Sequence, residues 1–282
     1  MKRPEREGVL ADQLEAGSPT AVTGRRAVVR LFAGLTLLPF AGCSRSNAGV
    51  TGAGTLTSGT ATSGGPTTKS QRSCSEIPEE TTGPFPANGS DGINALELDG
   101  IVRTDIRSSI GPGRAVAEGV GLTLTFELLD TSASCAPLPG YVVYVWHSDR
   151  DGHYSMYSPP IERESYLRGV QAADANGRVT FTTIFPAAYS QRWPHVHFEI
   201  YPSLEEATSF RNKLTTSQLA LPKDVCEAVY ATPGYEASRR NLSEISIEAD
   251  PVFNDGVALQ LPTITGNMTD GYVATLVVGI AR

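Results

Sequence analysis

The sequence is short of the groups that mark several common functions. Lys and Arg number 23 against 30 Asp and Glu, a formal net charge of −7, and no Lys/Arg cluster forms a basic stripe. Phosphate backbones are bound through such stripes, so a nucleic-acid partner is excluded. The apolar run 27–41 stops at about 15 residues, below the roughly 20 that a comfortable membrane span needs. There are four cysteines, four histidines and two tryptophans, no CxxC pair and no internal repeat. Functional chemistry must therefore rest on a small set of side chains.

What is present divides the chain into three. Arg25-Arg26 precede the apolar run, which closes on Ala41-Gly42-Cys43. A twin arginine before a short apolar segment reads as an export signal, and Phe40-Ala41-Gly42-Cys43 resembles a bacterial lipobox. Residues 1–43 are thus expected to direct export, giving a secreted protein or a cell-surface lipoprotein that meets the membrane only through a lipid on Cys43. Gly34 and Pro39 fit a buried helix poorly. Residues 44–73 are rich in Gly, Ser and Thr and cannot bury enough apolar surface to offset their ordering entropy; they read as a flexible linker. The overall 40% hydrophobic content supports one core, in a domain 74–282 of about 200 residues. Three cysteines fall within it, Cys74, Cys135 and Cys226; in an oxidising compartment they imply one bridge and one thiol, with the pair left open.

Short periodicities dominate this domain. Residues 122–128 alternate apolar and polar, as a half-buried strand does, and 141–146 form an almost unbroken apolar run of strand length. Residues 178–184, 195–201 and 272–279 complete the set. Pro139-Gly140, Asp151-Gly152, Asn176-Gly177 and Gly266-Asn267 supply turns between them. Many short strands with such turns predict a β-sandwich or barrel. Helical signal is confined to 204–214 and 222–230.

Two of the four histidines form His195-Val196-His197 in a strand-like run. Alternate residues of a strand share a face about 6.6 Å apart, so both imidazoles can grip one ion. Alone, the pair reads equally well as two half-buried structural histidines. Tyr189 and Arg192 stand just upstream, and Tyr154 ends a glycine turn that follows Trp146-His147. Two tyrosines flanking an HxH favour the metal, because a phenolate is a hard anionic donor suited to a trivalent ion. Zinc sites instead draw on His, Cys and carboxylates.

These elements resemble the intradiol ring-cleavage dioxygenases, nearest to their exported single-domain members. The family's PE-x-T-x-GPFY is similar to Pro78-Glu79-Glu80-Thr81-Thr82-Gly83-Pro84-Phe85-Pro86, and its WH-x-D-x-x-G-x-YS to the stretch from Trp146 to Ser155. Its LRG-x-Q-x-x-D-x-x-G matches Leu167 to Gly177, and its P-x-x-Y…R-x-PH-x-H matches Pro186 to His197. The resemblance implies an all-β domain, a sandwich of antiparallel or mixed sheets with transthyretin-like topology and a few short helices. It implies Fe(III) held by Tyr154, Tyr189, His195 and His197, with Tyr189 and His197 axial. Arg192 would stabilise charge on the substrate ring, with Gln218 beside it, and Gly83, Pro84, Phe85 and Trp193 would line the substrate pocket. His147 and His153 are not expected as ligands, and Trp146 is expected in the core. Pro86 replaces the family's tyrosine, and Trp193 stands where a smaller residue is common.

The implied reaction uses O2 to cut the ring of a catechol-type substrate between its two hydroxylated carbons, giving a muconate-type diacid. Catechol, its chlorinated or alkylated forms, protocatechuate, hydroxyquinol and a bulkier phenolic all remain open, and the sequence does not choose among them. Two rival readings compete. One is an exported transthyretin-like module that binds aromatic or carbohydrate ligands without catalysis; the other is a structural zinc or copper protein using the HxH alone.

Overall fold

The computed structural model describes residues 74–282; the segment 1–43 expected to direct export, with Cys43, and the expected linker 44–73 lie outside the described residues. Nine strands form two sheets. The first joins β1 (Gly121–Asp130), β2 (Ala136–Pro137), β8 (Thr263–Asn267) and β9 (Gly271–Ile280) in the order β2-β1-β9-β8. A fifth strand, β5 (Arg178–Ile184), also pairs with β1. The second sheet holds β3 (Val142–Trp146), β4 (Arg168–Ala172), β6 (His195–Tyr201) and β7 (Thr215–Ala220) in the order β4-β3-β6-β7. Only β1 and β9 run parallel; the other pairs are antiparallel. The fold is an all-β sandwich, as the strand pattern and the resemblance predict.

The alternation of side chains explains the layers. Leu122, Leu124, Phe126 and Leu128 of β1 pack with Val143 and Val145 of β3 and with Val196, Phe198 and Ile200 of β6 in the main core. The opposite face of β3 offers Val142, Tyr144 and Trp146 to a second apolar cluster with Leu96, Ile101, Tyr154 and Tyr201. A strand buried on both faces needs no polar side, which is why 141–146 reads as one apolar run. The second sheet is thus covered on its outer face by loops, and that face carries His195 and His197.

Among the described residues two helices are present, α1 (Lys223–Tyr230) and α2 (Glu236–Ser243). The first follows Pro222, close to its expected bounds. The helix expected over 204–214 is absent: the region holds turns and a short 3-10 segment, Phe210–Asn212. Leu204 and Leu214, at the two ends of that stretch, are 38% and 48% exposed, so their side chains supply no packing to hold a helix there. Cys74 and Cys135 form the disulfide, and Cys226 is a buried free thiol.

Candidate metal centre

Each of the four expected donors reaches the site by a different local device. Beyond Trp146 the chain folds back around Asp149, whose Oδ1 accepts from the backbone N–H of Asp151 (3.0 Å) and His153 (2.9 Å). Gly152 completes this turn at φ +89°, where a Cβ would stand 3.3 Å from Cβ of Tyr189. The motif needs glycine for both reasons. Tyr154 emerges from the turn fully buried, its ring 4.9 Å from that of Phe85.

Tyr189 lies in the loop entering β6, and the two helices brace that loop. Tyr230 of α1 donates its hydroxyl to the Pro186 carbonyl (2.9 Å), and Tyr235 donates to Phe185 (2.8 Å). Ser238 and Asn241 of α2 bond the two backbone groups of Ala188.

His195 and His197 lie on the outer face of β6, and their Nε2 atoms are 3.0 Å apart. Nδ1 of His195 is 2.5 Å from the Trp193 carbonyl. A carbonyl only accepts, so the proton sits on Nδ1 and Nε2 presents a lone pair. Trp146 stacks on the His197 ring at 5.0 Å and 8°, and Gly83, at φ +73°, approaches its edge so closely that a Cβ would stand 3.1 Å from Cε1. Nδ1 of His197 is buried with no hydrogen-bond partner among the described residues.

The donor atoms converge. Tyr189 Oη lies 3.1 Å from His195 Nε2 and 3.1 Å from Tyr154 Oη, and Tyr154 Oη lies 3.5 Å from His195 Nε2. Ligands about 2.1 Å from one ion and at right angles to each other are separated by about 3 Å. Burial pushes the Tyr154 and Tyr189 phenols above their ordinary range, holds His195 at about 3 and puts His197 well below 6.5. In the protein alone the four groups are therefore neutral, with imidazole lone pairs available. A bound cation would reverse the direction for the phenols. Two phenols and two imidazoles fit a hard trivalent ion. Among the described residues no group of three or more His, Cys, Asp or Glu is arranged to hold a metal, and this donor set contains only two of that kind.

Around the donors stand most of the other expected residues. Arg192 gives Nη2–H to Gln218 Oε1 (2.6 Å), and Gln218 faces His197 across the β6–β7 pair. Gln218 in turn donates to the Thr81 carbonyl (2.9 Å). Gly83 and Phe85 border His197 and Tyr154, and Pro84 between them is exposed. Trp193 departs from expectation: it is 2% exposed, belongs to the main core and donates Nε1–H to the Leu221 carbonyl (2.8 Å). A side chain so enclosed packs the sandwich and does not form a pocket wall. His147 is buried between the Ser148 carbonyl and Thr183, with its two ring nitrogens turned to those groups.

Two contributors escaped the sequence reading. Asp250 is fully buried and accepts from Arg192 Nε (2.9 Å), yet nothing in its surroundings separates it from Asp255 nearby. Arg168 is 1% exposed and makes five hydrogen bonds, to the carbonyls of Phe85, Pro86 and Ser155 and to the hydroxyls of Ser155 and Tyr144. Its place in the Leu167–Gly177 motif was the available signal.

The sandwich and this donor set are similar to those of the intradiol ring-cleavage dioxygenases, and the likenesses to known proteins support that family. A family model described as Dioxygenase matches residues 112–195. A chlorocatechol 1,2-dioxygenase from Rhodococcus opacus is 37% identical over 78 residues, 28% of this chain and 30% of that enzyme. A second, from a Pseudomonas strain, is 36% identical over 83 residues, 23% of this chain and 33% of that enzyme. The match thus spans about a third of these relatives' length. An intradiol ring-cleavage dioxygenase from Tetranychus urticae has a similar structure, with TM-score 0.58 and 26% identity, covering 74% of this chain and 95% of that one.

Proposed function

We propose that this chain is a non-haem Fe(III) dioxygenase that uses O2 to cut a catechol-type ring between its two hydroxylated carbons, giving a muconate-type diacid. The observation that carries the proposal is the convergence of Tyr154 Oη, Tyr189 Oη, His195 Nε2 and His197 Nε2 within 3.0–3.5 Å contacts. These four side chains would hold the metal. When bound, Fe(III) supplies Lewis-acid activation of the diol and a template for its two oxygens. Of the four donors only Tyr189 is not fully buried, which suits its Oη to take a proton from an arriving diol hydroxyl. Arg192 contributes a fixed cation against charge that builds on the ring. Phe85, partly buried beside Tyr154, offers an aromatic surface to a planar substrate, and the burial of the site excludes bulk water from the donors.

Iron content, a visible spectrum and oxygen uptake over a panel of catechols test the proposal. Tyr154→Phe and His197→Ala are each expected to lose iron and the broad visible band of tyrosinate-to-iron charge transfer. Full iron and turnover in either variant refutes the ligand set; a colourless zinc protein refutes the cofactor. Export and lipidation are part of the same proposal, supported by Arg25-Arg26 and the segment ending in Cys43. Incorporation of a fatty-acid label that survives Cys43→Ser argues against them.

A further inference from the structure

Arg192 has a long side chain at the edge of the donor cluster, 15% exposed, and its charge acts on all four donors. A flexible guanidinium there serves a reaction only if its plane is fixed beforehand. Two contacts do this: Nη2–H to Gln218 on β7, and Nε–H to Asp250 just beyond the 3-10 segment Ile247–Ala249. The Asp250 carboxylate is itself immobile. Oδ2 also accepts from the Trp193 N–H (2.6 Å), and Oδ1 accepts from the N–H groups of Val252 (2.8 Å) and Phe253 (3.2 Å). An aspartate this enclosed, with four donors at fixed angles, has no rotamer to exchange into.

We propose that Asp250 is a positioning residue for the ring-cleavage reaction, fixing the guanidinium plane of Arg192 over the donor cluster. The inference rests on the catalytic reading of Arg192 given above. It distinguishes two tasks of one carboxylate. The other contacts are structural: the Trp193 bond fixes backbone that leads into His195, and the Val252 and Phe253 bonds fix the turn that follows Asp250. The Arg192 contact is separate: without it, Gln218 alone would hold the guanidinium by one edge, and the group could swing about that point.

The test uses the iron-loaded protein with catechol as probe and compares Asp250→Asn, Arg192→Ala and the double variant. Asparagine preserves shape and the Oδ1 acceptor while turning the other atom into a donor that neither Arg192 nor the Trp193 N–H can use, so retained iron and visible band serve as the check that the Trp193 backbone is undisturbed. Asp250→Asn is expected to keep its iron and visible band, to lose kcat about ten- to a hundredfold, and to change KM little. On the Arg192→Ala background the same change should lower kcat less than about twofold, since the group it positions is gone. Asp250→Glu keeps the charge and the acceptors; it carries the comparison if the Asn variant does not accumulate as folded protein. Equal loss on both backgrounds, or wild-type kcat in Asp250→Asn beside an impaired Arg192→Ala, overturns the inference alone. Wild-type turnover in Arg192→Ala overturns the underlying reading of the arginine instead.

Discussion

His147 offers a measurable link between the sandwich and the site. It follows Trp146 directly, and its ring is pinned between two elements: Nδ1–H donates to the Ser148 carbonyl (2.8 Å), and Nε2 lies 2.7 Å from Thr183 Oγ1 of β5. Both contacts suit a neutral ring with the proton on Nδ1. Burial lowers its pKa from 6.5 to about 4. An unfolded chain therefore binds a proton between those values where the folded protein does not, so this group makes stability fall as pH drops from about 6.5 to about 4. Once pH is below both values the loss amounts to about 3 kcal/mol. Urea unfolding at closely spaced pH values measures it, and His147→Gln supplies the control, since glutamine keeps a donor and an acceptor but does not titrate. Other groups contribute to each curve, but the difference between wild type and variant isolates His147. That difference should change by about 3 kcal/mol across the window, with the variant losing less stability on acidification. Parallel curves would refute the neutral, buried assignment.

Further predictions concern the segment 78–88 that passes over the donors and the ties that hold it. Gly83→Ala places a methyl 3.1 Å from His197 Cε1 at a positive φ, a conformational cost of about 1–2 kcal/mol, and should speed iron loss to a chelator; iron retention equal to wild type argues against the contact. Arg168→Lys replaces a planar five-donor group by three donors, so at least two of its five hydrogen bonds are lost. A drop of about 2–5 kcal/mol in urea unfolding is expected, and a change below 1 kcal/mol would contradict the network. Cys74→Ser opens a link across 61 residues, worth about 4 kcal/mol by loop closure, and should make stability insensitive to reductant; continued sensitivity would point to another disulfide.

Legibility in the sequence follows how each element is buried. β5 and β6 were readable to the residue because their apolar positions repeat within a run bounded by turns. β7 carries Ser217 and Gln218 fully buried beside Leu219, so it offers neither alternation nor an apolar run, and it went unread. α2 buries only Ser238 and Leu242, which leaves no stripe to detect, although the helix braces the Tyr189 loop. The candidate donors could be picked out because each residue type at its spacing had a chemical reason. Trp193 was misread for want of direction: residues just before a site strand alternate between core and cleft, and sequence spacing alone does not fix where that alternation starts. Asp250 was invisible because its role is defined by partners 57 and 58 residues away.

β6 unites these points, because its two faces do different work. Val196, Phe198 and Ile200 enter the main core and fix the strand, while His195, His197, Glu199 and Tyr201 occupy the other face. The histidine geometry is therefore as rigid as the sandwich itself. Glu199 extends that rigidity outward. Its buried carboxylate accepts from Asn88 (2.8 Å), Tyr201 (2.8 Å) and Lys213 (3.2 Å), and Lys213 also reaches Thr82 (3.3 Å). Gln218 holds Thr81, and Arg168 holds the carbonyls of Phe85 and Pro86. Gly83 is consequently tied on both sides by groups from the second sheet, each bonded to the residue beside it or close by. A segment so fastened delivers its glycine to the His197 ring at a fixed distance, and the aromatic face of Phe85 stays against Tyr154. Tyr189 is held differently, by a loop that leans on two helices, and it is the most exposed donor. If one donor must move to admit a substrate, the mechanical contrast selects Tyr189, while the strand-borne pair would stay in place.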